Sequence, residues 1–192
     1  FDDREVSRLQ SYLAREATSA RTVDSGGEEA QFGTGFGGGD KWRWTKSLLS
    51  WVSRNDAHSM KRPSSSKLDS VGDSFRIAMV ADWGTGLYGA PVSANTIRQT
   101  GPYDLLLHLG DVYYSGTPEE VQERFLNVWP RDAGTISRAL NSNHEMYSGG
   151  YGYFDLTLPA FEQEGSYWAF HNNHWLLLGL DTAYIDHEID PQ

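Results

Sequence analysis

Three stretches of this chain follow an apolar run with residues that bind cations or move protons. They read "ADWGTG" with Asp82, "GDVYYSG" with Asp111, and "SNHEMY" with Asn143 and His144. Carboxylate and amide oxygens and imidazole are the donors from which metal sites are made. A lone aspartate after a strand is an ordinary turn residue, and Tyr113 and Tyr114 beside Asp111 could simply pack. Three successive strand ends that deliver such donors are harder to attribute to turns. In open α/β sheets ligands collect beyond the carboxyl ends of the strands.

The elements that must position these residues are legible in the apolar patterning. "FRIAMVAD" (75–82), "YDLLLHLGD" (103–111) and "TISRALNSNHE" (135–145) read as strands. "PVSANTIRQT" (91–100) and "PEEVQERFLNVW" (118–129), the latter opened by Pro118 and two glutamates, read as the helices between them. Strands alternating with helices predict parallel β-α-β-α-β units. "SYWAFHNNHWLLLGLDT" then reads as two strands joined at Asn172-Asn173, a hairpin added antiparallel to that sheet.

The chain has 192 residues, 39% hydrophobic and 13% aromatic, enough for one sizeable core. No run approaches the roughly 18 consecutive apolar residues of a membrane span, so the chain is expected to be soluble. It has no cysteine, which excludes disulfides, thiolate metal sites and cysteine nucleophiles. It starts at Phe1 without an initiator Met and without a signal pattern, which leaves room for a removed signal peptide.

The formal charge of −10 is unevenly spread. Residues 41–67 carry seven Lys/Arg against Asp56 alone, whereas residues 68–192 carry five Arg against seventeen Asp/Glu. So acidic a region is a poor nucleic-acid groove, and handling phosphates there calls for cations as intermediaries.

Residues 1–73 read as a helical and linker-rich segment of undetermined role. Val6, Leu9 and Leu13 predict an amphipathic helix over 2–16. Residues 25–40 form a glycine-rich linker in which Gly33, Gly35 and Gly38 match the dinucleotide fingerprint, but without the preceding strand that would give the match meaning. "WRWTKSLLSWVSR" (42–54) places Trp44, Leu48, Trp51 and Val52 at helical spacing. It predicts a helix docked on its own domain, and its basic surroundings, 41–67, also allow a partner or membrane-surface contact. "RPSSSKLDSVGDS" (62–74) reads as a second linker.

Residues 74–192 carry a resemblance. The order Asp-x-Gly, Gly-Asp-x-x-Tyr, Asn-His-Glu, here at Asp82, Asp111 to Tyr114, and Asn143 to Glu145, resembles the first blocks of the calcineurin-like metallophosphoesterases, and within them the purple acid phosphatases of the tartrate-resistant type. Tyr114, together with Gly84 where many relatives have histidine, points to the purple subgroup. Ala81 and Ser142 depart from it, since glycine is usual at both. The likeness spans about residues 74–181.

The resemblance implies a four-layer α/β/β/α sandwich, here incomplete at its C-terminus. It also implies two metal ions, Fe(III) and a divalent ion (Fe, Zn or Mn). Asp82 and Tyr114 would bind the first, Asp111 would bridge both, and Asn143 would bind the second. His144 would face the substrate and protonate the leaving group, and Glu145 would orient His144. The implied activity is phosphomonoester hydrolysis by attack of a metal-bound hydroxide on a small phosphorylated substrate. A phosphodiesterase on the same metals, and a non-catalytic module binding a partner, remain open beside it. The family completes its site with histidines in Val-x-x-His and Gly-His-x-His settings. Nothing up to Gln192 matches these, so the chain is expected to be partial, with those ligands outside it or on a second chain. Of the other histidines, His108 reads as a core residue, His171 and His174 as turn-flanking, and His187 as part of a solvated tail.

Overall fold

The computed structural model describes residues 57–64, 68–86, 89–113, 115–131 and 134–184. Five expectations lie outside the described residues: the helix over 2–16, the glycine-rich stretch 25–40, the amphipathic stretch 42–54, the ligand Tyr114 and the tail around His187.

The chain is a mixed α/β structure with two three-stranded sheets. The first contains β2 (Ile77–Val80), β3 (Leu105–His108) and β4 (Ile136–Ala139), all parallel, in the order β2-β3-β4. The crossover β2 to β3 holds helix α1 (Gly89–Thr100), which starts two residues before the patterning predicts. α1 buries Ala90, Ala94 and Ile97, one face at helical spacing. The helix ends where the Gly101 amide bonds the Ile97 carbonyl and Pro102 follows.

The crossover β3 to β4 holds α2 (Pro118–Glu120), which runs into a π-helical turn at Val121–Leu126. Its start is a capping box. Thr117 accepts from the Glu120 amide, the Glu120 carboxylate accepts from the Thr117 amide, and Pro118 fills a first-turn position whose N–H needs no partner.

β4 stops at Ala139, just before the polar residues into which the 135–145 stretch is expected to run. Asn143–Met146 instead forms a helical turn, α3, because the Ser142 side chain caps it by accepting from the His144 amide. A second π-helical turn, Tyr153–Thr157, leads into α4 (Leu158–Ala160).

The hairpin forms as expected, from β5 (Trp168–His171) and β6 (Leu176–Gly179), with Asn172 Oδ1 accepting from the amides of His174 and Trp175. It does not extend the first sheet. Asp69–Ser70, inside the stretch read as a second linker, forms β1, pairs parallel with β5 and builds the second sheet in the order β1-β5-β6.

Packing explains this. Trp168 and Phe170 of β5 lie against Leu105 and Leu107, so the hairpin meets the first sheet through its face rather than its edge. The opposite face of the first sheet, Ala78, Val80, Leu106 and Ala139, packs on α1 and on Val121, Phe125 and Trp129. The order of layers is therefore helices, first sheet, second sheet. His108, as its apolar strand predicts, is buried in the helix-side core, with ring centroids 4.1 Å from Phe125 and 5.6 Å from Trp129.

Candidate functional site

The loops that follow β2 and β3 are fastened to each other. The Gly84 amide donates to the Asp111 carbonyl at 2.9 Å, and the Tyr113 amide donates to the Gly84 carbonyl at 2.8 Å. Each loop is also anchored by the apolar residue after its aspartate. Trp83 is buried and donates its indole N–H to the Arg124 carbonyl at 2.9 Å, and Val112 is buried in the same core. These anchors hold Asp82 (φ 51°) and Asp111 (φ 76°) in left-handed backbone conformations. Non-glycine residues adopt that region at a cost of about 1–3 kcal/mol, tolerated where the surroundings over-determine it, commonly at functional sites.

The two carboxylates meet. Burial first, then the hydrogen bond to Asp111 and the negative charge of Asp111, push the Asp82 carboxyl above its ordinary value, while His144 pulls the other way. Like charges at close range disfavour double ionisation unless a cation or a proton joins them. Asp82, Asp111 and His144 are thus brought to one end of the first sheet, as the strand-end argument predicts.

His144 and Asn143 arrive on α3. The His144 ring lies against Tyr113, with centroids 4.2 Å apart, and 5.0 Å from the Tyr147 ring. Asn143 is exposed and donates from Nδ2 to the Tyr147 hydroxyl at 2.8 Å. That orientation leaves the amide oxygen as the atom that would meet a cation. Tyr114, the expected phenolate ligand, lies outside the described residues.

Glu145, expected to orient His144, is buried with its carboxylate turned to the β3 loop. Oε1 accepts from the Val112 amide at 3.0 Å, and Oε2 accepts from the Asp111 amide at 3.3 Å and contacts the Ser142 hydroxyl. Burial pushes its carboxyl up, against the hydrogen bonds from Ser142 and the two amides. Ser142 Oγ also lies 2.6 Å from Asp111 Oδ1, and it accepts from the Asp111 amide at 3.1 Å.

The close approach of α3 to the loop depends on glycine. A Cβ at Gly110 (φ 95°) would meet the Ser142 Cβ at 2.6 Å, and one at Gly116 (φ 56°) would meet the Glu145 Cα at 2.7 Å.

Ser142 and Tyr113 are the residues whose contacts the sequence reading missed. The signal for Ser142 was present: Ser-x-x-Glu is a capping-box pattern, and it marks a helix start where a strand is expected. For Tyr113, nothing local separates a tyrosine that packs on the histidine from its neighbour Tyr114.

Among the described residues, no group of three or more His, Cys, Asp or Glu side chains is gathered closely enough to hold a metal ion. Asp82 and Asp111 do fit part of such a site. They are hard oxygen donors, close enough to repel, on a braced backbone. The chain matches no family model, and no curated protein and no solved structure matches it.

Proposed function

We propose that this chain belongs to a dinuclear metal-dependent phosphomonoester hydrolase of the calcineurin-like, purple-acid-phosphatase type. On this reading the helix, sheet, sheet layering is part of a four-layer α/β/β/α sandwich. The observation that carries the proposal is the pair Asp82 and Asp111. They follow adjacent parallel strands, both have left-handed backbones, and Asp111 lies near enough to push the Asp82 carboxyl above its ordinary value. Turn-forming aspartates have no need to meet in this way.

A pair of cations, Fe(III) and a divalent ion (Fe, Zn or Mn), would neutralise phosphoryl charge and make a bound water more acidic. Asp82 and Tyr114 would hold one, Asn143 would hold the other through its amide oxygen, and Asp111 would lie between them. Tyr113, whose ring lies 4.2 Å from that of His144 and tilted 30° to it, would limit rotation of the imidazole. Held there, His144 would donate a proton to the departing alkoxide, an effect of about 10²–10⁴-fold in rate.

No helix among the described residues is long and apolar enough to cross a membrane. A small phosphorylated substrate reaching the sheet end from solution suits the exposed positions of Asp82 and Asn143.

The test is steady-state hydrolysis of p-nitrophenyl phosphate and bis-p-nitrophenyl phosphate by the chain supplied with iron and zinc or manganese. Metal-dependent turnover of the monoester that falls at least about 100-fold in His144→Ala, with metal content retained, supports the reading. Strong preference for the diester replaces it with a phosphodiesterase, and weak metal loading with no turnover even in the full-length protein points to a non-catalytic module.

A further inference from the structure

We infer that Ser142, with Glu145 behind it, is a positioning residue that fixes the Asp111 carboxylate for metal binding. This inference rests on the metal-site reading above and adds a residue to it. Asp111 is the central donor of that site, yet its backbone is left-handed, and the hydrogen bonds that join its loop to the β2 side, through Leu109 to Val80 and through Asp111 and Tyr113 to Gly84, are made by main-chain atoms. An aspartate side chain at such a loop can turn away from a neighbouring carboxylate. Something must hold it in place against that repulsion.

The structure supplies the holding groups on α3. The Ser142 hydroxyl lies 2.6 Å from Asp111 Oδ1 and restricts the carboxylate through that contact. The same oxygen accepts from the Asp111 amide, so a single side chain grips both the backbone and the carboxylate of one residue. Glu145 completes the grip through the amides of Asp111 and Val112 and the contact with Ser142. Ser142 and Glu145 stand three residues apart on α3, the spacing that in a capping box would return the glutamate to its own helix start. Here the carboxylate reaches across to another loop, which is more than capping asks of it. Glycine at 110, where any side chain would strike the Ser142 Cβ, allows the two loops this approach.

A purely local role for Ser142 predicts something different from a positioning role, and glycine separates them. Glycine serves at a helix N-cap nearly as well as serine, so Ser142→Gly removes the hydroxyl with little effect on α3. Threonine keeps the hydroxyl. The experiment measures Mn²⁺ affinity by titration, together with thermal unfolding without metal, for the 192-residue chain and its Ser142→Gly, Ser142→Thr and Glu145→Gln variants. Loss of an outer-shell partner typically weakens metal binding about 10–100-fold. That loss is expected for Ser142→Gly and Glu145→Gln, with recovery in Ser142→Thr and with the unfolding temperature of Ser142→Gly close to the parent's. Parent-like Mn²⁺ affinity in Ser142→Gly overturns the positioning role and leaves the metal site intact. Failure of the parent chain itself to bind Mn²⁺ overturns the metal-site reading and this inference with it, a result recognisably different from the first.

Discussion

Residues 105–111, "LLLHLGD", and 176–181, "LLLGLD", are nearly the same string, and each forms a four-residue strand of a three-stranded sheet. Their fates differ. Leu105, Leu106 and Leu107 are at most 1% exposed, whereas Leu176 and Leu178 are 58% and 54% exposed. β3 is central in its sheet, with helices over one face and the second sheet over the other. β6 stands last in its sheet's order, and among the described residues its inward side, Leu177 and Gly179, is the one that packs on the core. Apolarity makes burial favourable, but what is available to cover each face decides whether burial happens.

The fourth positions of the two strands differ in kind. His108 fills a ring cluster, whereas Gly179 leaves room for Trp168, whose ring would lie 2.2 Å from a Cβ there.

The largest effect that would sharpen this contrast comes from acid. Burial lowers His108 to about 3 from an ordinary 6.5, and its Nε2 has no hydrogen-bond partner. The group is neutral in the folded state and takes up a proton on unfolding, so its contribution is present above pH 6.5 and is lost as pH falls toward 3. Across that window it amounts to up to about 5 kcal/mol. Urea unfolding at stepped pH should show stability falling through this range, with the slope much reduced in His108→Leu. An unchanged slope would mean that the ring is already solvated.

Next comes β3 itself. Leu106→Ala should cost about 2–5 kcal/mol, because the core on either side cannot fully close on the cavity. Gly179→Ala should cost about 1–3 kcal/mol by overpacking Trp168, although its backbone is not left-handed. The smallest effect is expected on the outer face of β6, where Leu178→Ser should change stability by no more than about 0.5 kcal/mol. A loss of 2 kcal/mol or more there, measured by the same unfolding, would break the comparison and show that β6 is covered in solution.

The contrast between the two strands also marks what was legible along the chain. β2 and β3 form inside the stretches that patterning marks, α1 starts two residues early, and α2 with the π-helical turn after it fills most of 118–129, because an alternating βαβ pattern has a single economical arrangement, a parallel sheet. Asp82 and Asp111 were legible too, since in a parallel sheet residues just past successive strands arrive at one edge. The polar residues after β4 hide a helix start: Asn143–Met146 follows a serine that can cap, and capping is a contest between local structures that apolar patterning does not register. The hairpin was found but misplaced, because its pairing partner is the two-residue β1, hidden in a stretch of serine, aspartate and glycine.

What the sequence determined by itself is therefore the order of strands and helices and the residue types delivered to the sheet end, which depend on near neighbours and on period. What only the tertiary structure decided is which leucines are covered, that the hairpin joins the first sheet by its face, and that Ser142 and Glu145 close on Asp111 from 31 and 34 residues away. Those outcomes depend on contacts between segments distant in the chain, and no local pattern carries them.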